Sequence, residues 1–128
     1  MKLNVWYLDD EPELLELVSD YLSSDKVQFK TFDQADSLYN ELKQNTPDVI
    51  IIDHRLPGTS GIDVATKVDE LVPSKIPKIL VSGDFHYLPN KVFARVFGKP
   101  FEFDEIIKYL NNQHSEKIQT QAALHKVA

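Results

Sequence analysis

The stretch from Val49 to Gly61 constrains the fold more than any other part of the chain. Four consecutive β-branched residues lead directly into Asp53, and a turn with a proline and two glycines follows. An apolar run without alternation is typical of a strand buried on both faces, as in parallel sheets. Open α/β sheets place their chemistry at the carboxyl ends of the strands. We therefore predict that Asp53 lies at the rim of a parallel sheet and faces a crevice.

Further apolar strand patterns alternate with helical patterns along the rest of the chain. Besides the central run, we predict strands at Leu3–Leu8, Val27–Phe32, Ile79–Ser82 and Ala94–Phe97. Alternation of strands and helices predicts βαβ units and a parallel sheet. Right-handed crossovers then bring the carboxyl ends of all strands to one rim. The segment from Gly83 to Phe93 contains Pro89 and is short, so we expect a short or irregular helix between the fourth and fifth strands.

The composition narrows the class of protein. The chain has 128 residues, the size of one domain with a single core. It contains no cysteine, which excludes disulfides and thiolate metal sites. The net charge is −6 and there is no basic cluster, so direct binding of nucleic acid or of a membrane surface is not expected. No apolar run approaches the roughly 20 residues that cross a bilayer, and no signal-peptide pattern opens the chain. We therefore expect a soluble cytoplasmic domain.

Polar residues stand at four of the predicted strand ends. The first strand ends at Asp9 and Asp10, the third at Asp53, the fourth at Ser82, and Lys99 follows the fifth. Carboxylates about 4 Å apart repel by roughly 4 kcal/mol per pair at an effective dielectric near 20, so they stay ionised together only around a cation. Oxygen ligands without His or Cys favour Mg²⁺. With an ammonium and a hydroxyl nearby, this set suits phosphoryl transfer to an aspartate nucleophile.

Taken together and in this order, these motifs resemble the response-regulator receiver domain, the phosphoacceptor module of two-component signalling. Behind Asp53 the resemblance includes Leu56-Pro57 and Gly61, and at the fifth strand it includes Lys99-Pro100-Phe101. It implies an α/β fold of the flavodoxin-like (βα)5 type, a three-layer sandwich around a parallel five-stranded sheet in the order 2-1-3-4-5. Residues 1–113 would form the receiver domain.

Residues 114–128 are predicted to form a helical extension or a linker. Their apolar positions make a thin stripe that includes Ile118 and Ala122. We expect them to continue the last helix and to project from the domain, with an ordered linker as the equal alternative.

The resemblance also implies roles for the residues on the rim. Asp53 takes a phosphoryl group from a phosphohistidine donor, Lys99 pairs with the phosphoryl oxygens, and Ser82 hydrogen-bonds them. The expected partners are a sensor histidine kinase or a histidine phosphotransfer protein and a downstream effector, with a second copy of the chain as a further candidate. The implied protein is a switch with Mg²⁺-dependent autophosphorylation and autodephosphorylation, not an enzyme with a turnover substrate.

The Mg²⁺ ligands follow from the same resemblance. Asp10 and Asp53 bind the ion directly, Asp9 binds largely through water, and the backbone carbonyl of Arg55 completes the protein ligands. The histidines of the chain have no ligand spacing among them, so we do not assign them to the metal.

Two features depart from the family pattern. Val96 stands where the family usually has an aromatic residue, and strand alternation should turn Phe97 to the opposite face. The span from Ser82 to Lys99 is also shorter than usual. We therefore hypothesise that the segment Gly83–Phe93 itself reorders on phosphorylation.

Two other functions compete with the switch. The departures favour an interaction adaptor with the receiver fold that acts independently of phosphorylation. A dehalogenase-type phosphatase ranks third, because that family needs an acid two residues after its nucleophile and this chain has Arg55 there.

Overall fold

The computed structural model describes residues 1–83, 92–99 and 102–127, which contain seven strands and four helices. The strands are β1 (Leu3–Leu8), β2 (Val27–Phe32), β3 (Val49–Asp53), β4 (Arg55–Leu56), β5 (Thr59–Ser60), β6 (Lys78–Ser82) and β7 (Arg95–Gly98). The helices are α1 (Pro12–Leu22), α2 (Ala35–Leu42), α3 (Gly61–Leu71) and α4 (Phe103–Val127).

The main sheet has five strands in the order β2-β1-β3-β6-β7, and every pair is parallel. In terms of the five long strands this is the predicted order 2-1-3-4-5, which is confirmed. The register places Leu8 beside Ile52, Asp53 beside Val81, and Ser82 beside Gly98. The strands therefore end at nearly the same level, and the residues that follow them share one rim.

Two apolar layers cover the two faces of the sheet. Val5 and Tyr7 of β1 point into the layer formed with α1 and α4, whereas Trp6 and Leu8 point into the layer formed with α2 and α3. All five residues of β3 are buried, as the uninterrupted apolar run predicts. A one-residue shift of β3 would exchange its side chains between the two layers and move Asp53 away from the register that places it beside Val81, so the packing of both layers favours its position at the end of β3.

A small hairpin separates β3 from α3. Strands β4 and β5 pair in antiparallel fashion, and Gly58 at the turn has a φ of 72°. Gly61 then donates its N–H to the carbonyl of His54 at 2.9 Å. A Cβ on Gly61 would lie 2.6 Å from the backbone oxygen of Asp53, so a larger residue at the start of α3 would push the chain away from β3.

Helix α4 contacts the opposite end of the sheet from the rim. The Nε2 atom of His114 lies 2.9 Å from the carbonyl oxygen of Met1. The ammonium of Lys117 donates to the carbonyl of Lys2 and to Oδ2 of Asp48, both at 2.8 Å. These contacts continue four positions beyond 113, the residue at which we predicted the domain to end; that boundary stays a prediction.

The predicted short helix between Ser82 and Lys99, and the hypothesis that Gly83–Phe93 reorders, fall largely on residues 84–91, which lie outside the described residues. Within the described ranges, no helix combines the length and the apolar character that crossing a bilayer requires.

Candidate functional site

The rim carries a cavity of about 480 Å³ at the ends of β1, β3, β6 and β7. It is lined by Asp10, Glu11, Asp53, His54, Arg55, Ser82, Gly83 and Lys99. The structure thus brings five of the six residues predicted for the site to one cavity, and the sixth, Asp9, lies buried beside it.

Three carboxylates converge at this cavity. One oxygen from each of Asp9, Asp10 and Asp53 lies within 4.8 Å of the others. Asp9 is fully buried, Asp53 is 6% exposed, and Asp10 is open to solvent. The first two residues follow β1 and the third ends β3, so the pairing of these neighbouring strands creates the cluster.

The ammonium of Lys99 lies among these carboxylates. Its Nζ atom is 2.9 Å from Oδ1 of Asp53 and 3.8 Å from Oδ2 of Asp9. The backbone N–H of Lys99 donates to the carbonyl of Ser82 at 3.0 Å, which holds the end of β7 against the end of β6. The pairing of β6 with β7 therefore fixes the backbone of Lys99, from which the side chain extends to the carboxylates.

Asp9 has protein donors on both of its oxygens. The hydroxyl of Tyr7 donates to Oδ2 at 2.7 Å, and the backbone N–H of Glu11 donates to Oδ1 at 3.1 Å. Burial, and next the Asp9 carboxylate, raise the pKa of Tyr7 far above its usual range, so its hydroxyl keeps its proton and acts as the donor. A buried carboxylate needs such partners, because its desolvation is otherwise uncompensated.

Charge in the site is only partly balanced. Burial raises the pKa of Asp53, the hydrogen bond from Lys99 lowers it, and the charge of Asp9 raises it again, for a net increase. Burial lowers the pKa of Lys99, but the hydrogen bond to Asp53 and the charges of Asp53 and Asp9 outweigh this and raise it. The ammonium is thus well stabilised, whereas the carboxylates still carry more negative charge than one lysine offsets.

The donor set fits a hard divalent cation. The three side-chain ligands would be carboxylate oxygens. Asp9, which is buried, and Asp10, which is exposed, are consecutive residues, and Asp53 lies at the end of the neighbouring strand β3. Mg²⁺ is typically held by a small number of carboxylates and keeps part of its water shell. The open cavity beside Asp10 gives such an ion access to solvent.

The remaining predicted residues lie where strand ends place them. Ser82 is 3% exposed and lines the cavity, and Arg55 is exposed on β4. Val96 packs in the layer with α2 and α3, and Phe97 packs in the layer with α1 and α4. The prediction that these two neighbours point to opposite faces is confirmed.

Sequence reasoning missed three contributors to the site. A hydrophobicity pattern counts Tyr7 as one apolar residue of β1, although a tyrosine two positions before an acid at the end of a buried strand is a usable signal. Glu11 contributes its backbone N–H and lines the cavity, and His54 lies 8% exposed in its wall. The pattern of charges alone indicated neither of these two roles.

The sequence matches the family model described as the response regulator receiver domain over residues 5–111. It is 31% identical over 108 residues to the response regulator protein TmoT of Ectopseudomonas mendocina, with 80% of this chain and 49% of TmoT covered. It is 26% identical over 117 residues to the DNA-binding transcriptional regulator NtrC of Escherichia coli, with 80% of this chain and 23% of NtrC covered. The chain therefore spans about half the length of TmoT and less of NtrC.

Solved structures share the fold. The response regulator protein TrrA from Thermotoga maritima, in complex with Mg²⁺-BeF, superimposes with a TM-score of 0.77 at 24% identity and covers 88% of this chain and 99% of its own. A CheY-like response regulator receiver domain from Methylobacillus flagellatus superimposes with a TM-score of 0.81 at 18% identity, with the same coverage. At these identities the likeness concerns the fold, and it confirms the predicted flavodoxin-like class.

Proposed function

Because this chain belongs to the response regulator receiver domain family, we propose that Asp53 is its phosphoacceptor and that phosphorylation switches the domain between signalling states. Receiver domains are signalling switches and not enzymes in the ordinary sense. The observation that carries the proposal is the ammonium of Lys99, 2.9 Å from the Asp53 carboxylate inside a cluster of three acids. A nucleophile, a cation for the transferred group and a set of metal ligands thus share one cavity.

The proposed reaction moves one phosphoryl group. A carboxylate oxygen of Asp53 attacks the phosphorus of a phosphohistidine on the donor protein. The new O–P bond forms as the donor's N–P bond breaks, and the imidazole nitrogen keeps the electron pair of the broken bond. Lys99 stabilises the charge on the phosphoryl oxygens during transfer, and Ser82, at the end of the neighbouring strand, donates a hydrogen bond to one of them.

A cation completes this arrangement. Asp9, Asp10 and Asp53 would hold Mg²⁺, together with the carbonyl of Arg55. Bound there, Mg²⁺ would neutralise charge on the transferring phosphoryl oxygens. The complex of TrrA with Mg²⁺-BeF supports this assignment for the shared fold. Hydrolysis of the phosphorylated aspartate by water would regenerate free Asp53 and release inorganic phosphate.

The partners follow from the same chemistry. We propose a sensor histidine kinase or a histidine phosphotransfer protein as the donor, and a downstream effector as the target of the switch. The chain spans about half the length of TmoT, and we also propose that a longer protein containing this domain would carry the effector function. The cytoplasmic location expected from the sequence is part of the proposal as well.

The test is phosphorylation by a small phosphodonor, phosphoramidate, with and without Mg²⁺. We expect the intact mass of the wild-type protein to increase by one phosphoryl group only when Mg²⁺ is present. The increase should be lost in Asp53→Asn and retained in Asp36→Asn, a matched control at an exposed aspartate of α2.

A wild-type protein that stays unmodified would contradict the proposal. That result would favour the alternative function, an interaction adaptor with the receiver fold that acts independently of phosphorylation.

A further inference from the structure

Tyr7 extends the site beyond the residues that the family resemblance assigned. Resting on the proposed Mg²⁺ site, we propose that Tyr7 is a positioning residue: its hydroxyl fixes the Asp9 carboxylate in the orientation that a bound cation requires. The role is carried by one contact, the 2.7 Å hydrogen bond from the Tyr7 hydroxyl to Oδ2 of Asp9.

The geometry of β1 makes this contact possible. Side chains two positions apart on an extended strand lie on the same face of the sheet. Tyr7 and Asp9 therefore lie on one face, with Asp9 at the rim and Tyr7 one step further inside. The ring of Tyr7 packs among apolar residues of α1 and α4. The hydroxyl at the end of the ring donates to the carboxylate at 2.7 Å.

Burial makes the contact specific. Tyr7 and Asp9 are both 0% exposed, so neither group exchanges this hydrogen bond freely for one to water. A buried polar group that is left without its partner destabilises the folded protein, and a charged group does so more strongly. The hydroxyl and the carboxylate therefore hold each other in one orientation.

The two donors to Asp9 contact different oxygens of its carboxylate. The Glu11 N–H occupies a lone pair of Oδ1 and the Tyr7 hydroxyl one of Oδ2. The Lys99 ammonium lies 3.8 Å from the same Oδ2 and competes for it as a cation. Without the hydroxyl, Asp9 can rotate toward Lys99, which moves its oxygens away from the position they share with the other two acids.

Hydrogen bonds to metal-binding side chains usually matter for the metal. Removing such a partner typically weakens metal affinity by about 10–100-fold, because the ligand loses its preferred orientation. We expect Tyr7→Phe to lie near the lower end of this range, since the Glu11 N–H remains on Asp9.

The experiment measures Mg²⁺ binding by isothermal titration calorimetry, together with the ¹³Cγ resonance of Asp9 in the metal-free protein. Tyr7→Phe should raise the dissociation constant for Mg²⁺ about tenfold and shift the Asp9 resonance. Tyr109→Phe is the matched control, because Tyr109 packs against the same apolar layer from α4. It should change neither quantity.

Two results would overturn the proposal. One is a dissociation constant within about twofold of the wild-type value, since loss of an orienting partner costs more than that. The other is weaker binding with an unmoved Asp9 resonance, which would mean that Tyr7 does not act through Asp9. If Tyr7→Phe fails to fold, Tyr7→Met, which keeps most of the apolar volume, decides by the same two measurements.

This result is independent of phosphoryl transfer. A wild-type protein that binds Mg²⁺ but is not phosphorylated would contradict the proposed function. The dissociation constants of wild-type protein and Tyr7→Phe for Mg²⁺ would still decide the role of Tyr7. A wild-type protein that binds no Mg²⁺ would overturn the role of Tyr7 itself.

Discussion

Lys99 and Asp53 form an ion pair with 2.9 Å between Nζ and Oδ1, although β6 lies between the strands that carry them. Asp53 ends β3, and Lys99 follows β7. The lysine therefore reaches across the end of β6 to its partner. The ion pair places a positive charge where a transferred phosphoryl group would develop negative charge. It also joins the end of β3 to the end of β7.

Replacing Lys99 should separate metal binding from phosphoryl transfer. We expect Lys99→Ala to slow phosphorylation of Asp53 by about 100-fold, as is typical when one preorganised electrostatic partner of a transferring group is lost. Mg²⁺ should bind more tightly, because the ammonium no longer repels the ion from the same carboxylates. Calorimetry with MgCl₂ and a timed phosphorylation assay measure the two effects. Lys108→Ala, at an exposed position of α4, is the control, and weaker Mg²⁺ binding in Lys99→Ala would contradict the expectation.

Asp53→Asn should stabilise the metal-free protein at neutral pH. The folded pKa of Asp53 is raised above its ordinary value of 3.8, first by burial. The folded state therefore binds this proton more tightly than the unfolded state, and stability falls as the pH rises through the folded pKa. The asparagine does not ionise, so the fall in stability should be smaller in the variant. Urea denaturation in EDTA over a pH series that starts below the ordinary value of 3.8 and extends to neutral pH measures the difference.

In the presence of Mg²⁺, we expect the wild-type protein to be more stable than Asp53→Asn. At a concentration 100-fold above its dissociation constant, a ligand that binds only the folded state adds about 2.7 kcal/mol. Wild-type protein should gain this amount, and Asp53→Asn should gain much less because one ligand oxygen is replaced by an amide. Equal gains in the two proteins would show that Asp53 is not a ligand. Thermal unfolding with and without MgCl₂ makes the comparison.

Gly61→Ala should destabilise the fold by about 1–3 kcal/mol, the usual cost of overpacking a closely packed position. The new methyl group would lie 2.6 Å from the Asp53 carbonyl oxygen and 2.8 Å from Cδ1 of Leu80. Gly83→Ala is the matched control, since its nearest contact would be the Cβ of Lys99 at an ordinary 3.9 Å. Denaturant unfolding should give a large loss for the first variant and a small one for the second; similar losses would refute the steric explanation.

Lys117→Ala should loosen the far part of α4. The lysine holds the helix to Asp48 and to the carbonyl of Lys2. Both partners of the ion pair are partly exposed, so we expect the global cost to stay below about 1 kcal/mol. Amide exchange should rise in residues 118–124, and Lys108→Ala should leave it unchanged. Unaltered exchange in Lys117→Ala would mean that this part of the helix is held by other contacts.

The sheet and most of the site could be predicted because both depend on local patterns and one topological rule. The apolar run of β3 identified a doubly covered strand, and parallel crossovers then brought Asp9, Ser82 and Lys99 to the same rim as Asp53. Alternation along β7 correctly separated Val96 from Phe97. None of these inferences required knowledge of where an individual side-chain atom lies.

The rest depended on such atoms. The hydroxyl of Tyr7 was invisible to a hydrophobicity pattern, in which tyrosine counts as apolar. The contact between His114 and the carbonyl of Met1 joins residues 113 positions apart, and no periodicity encodes it. The sequence predicts only a turn where β4 pairs with β5, because strands of two residues carry no alternation to detect.

The order of the strands has a consequence for the newly made chain. Starting from β1, with β2 on its other side, the sheet grows outward through β3 and β6 to β7 in the order of synthesis. The acids of the site therefore precede the lysine in the order of synthesis, and Lys99 is the last of the site residues to be made. Under the proposed function, a chain that stops before Lys99 would lack the ammonium that pairs with Asp53, and we expect it to accept a phosphoryl group far more slowly.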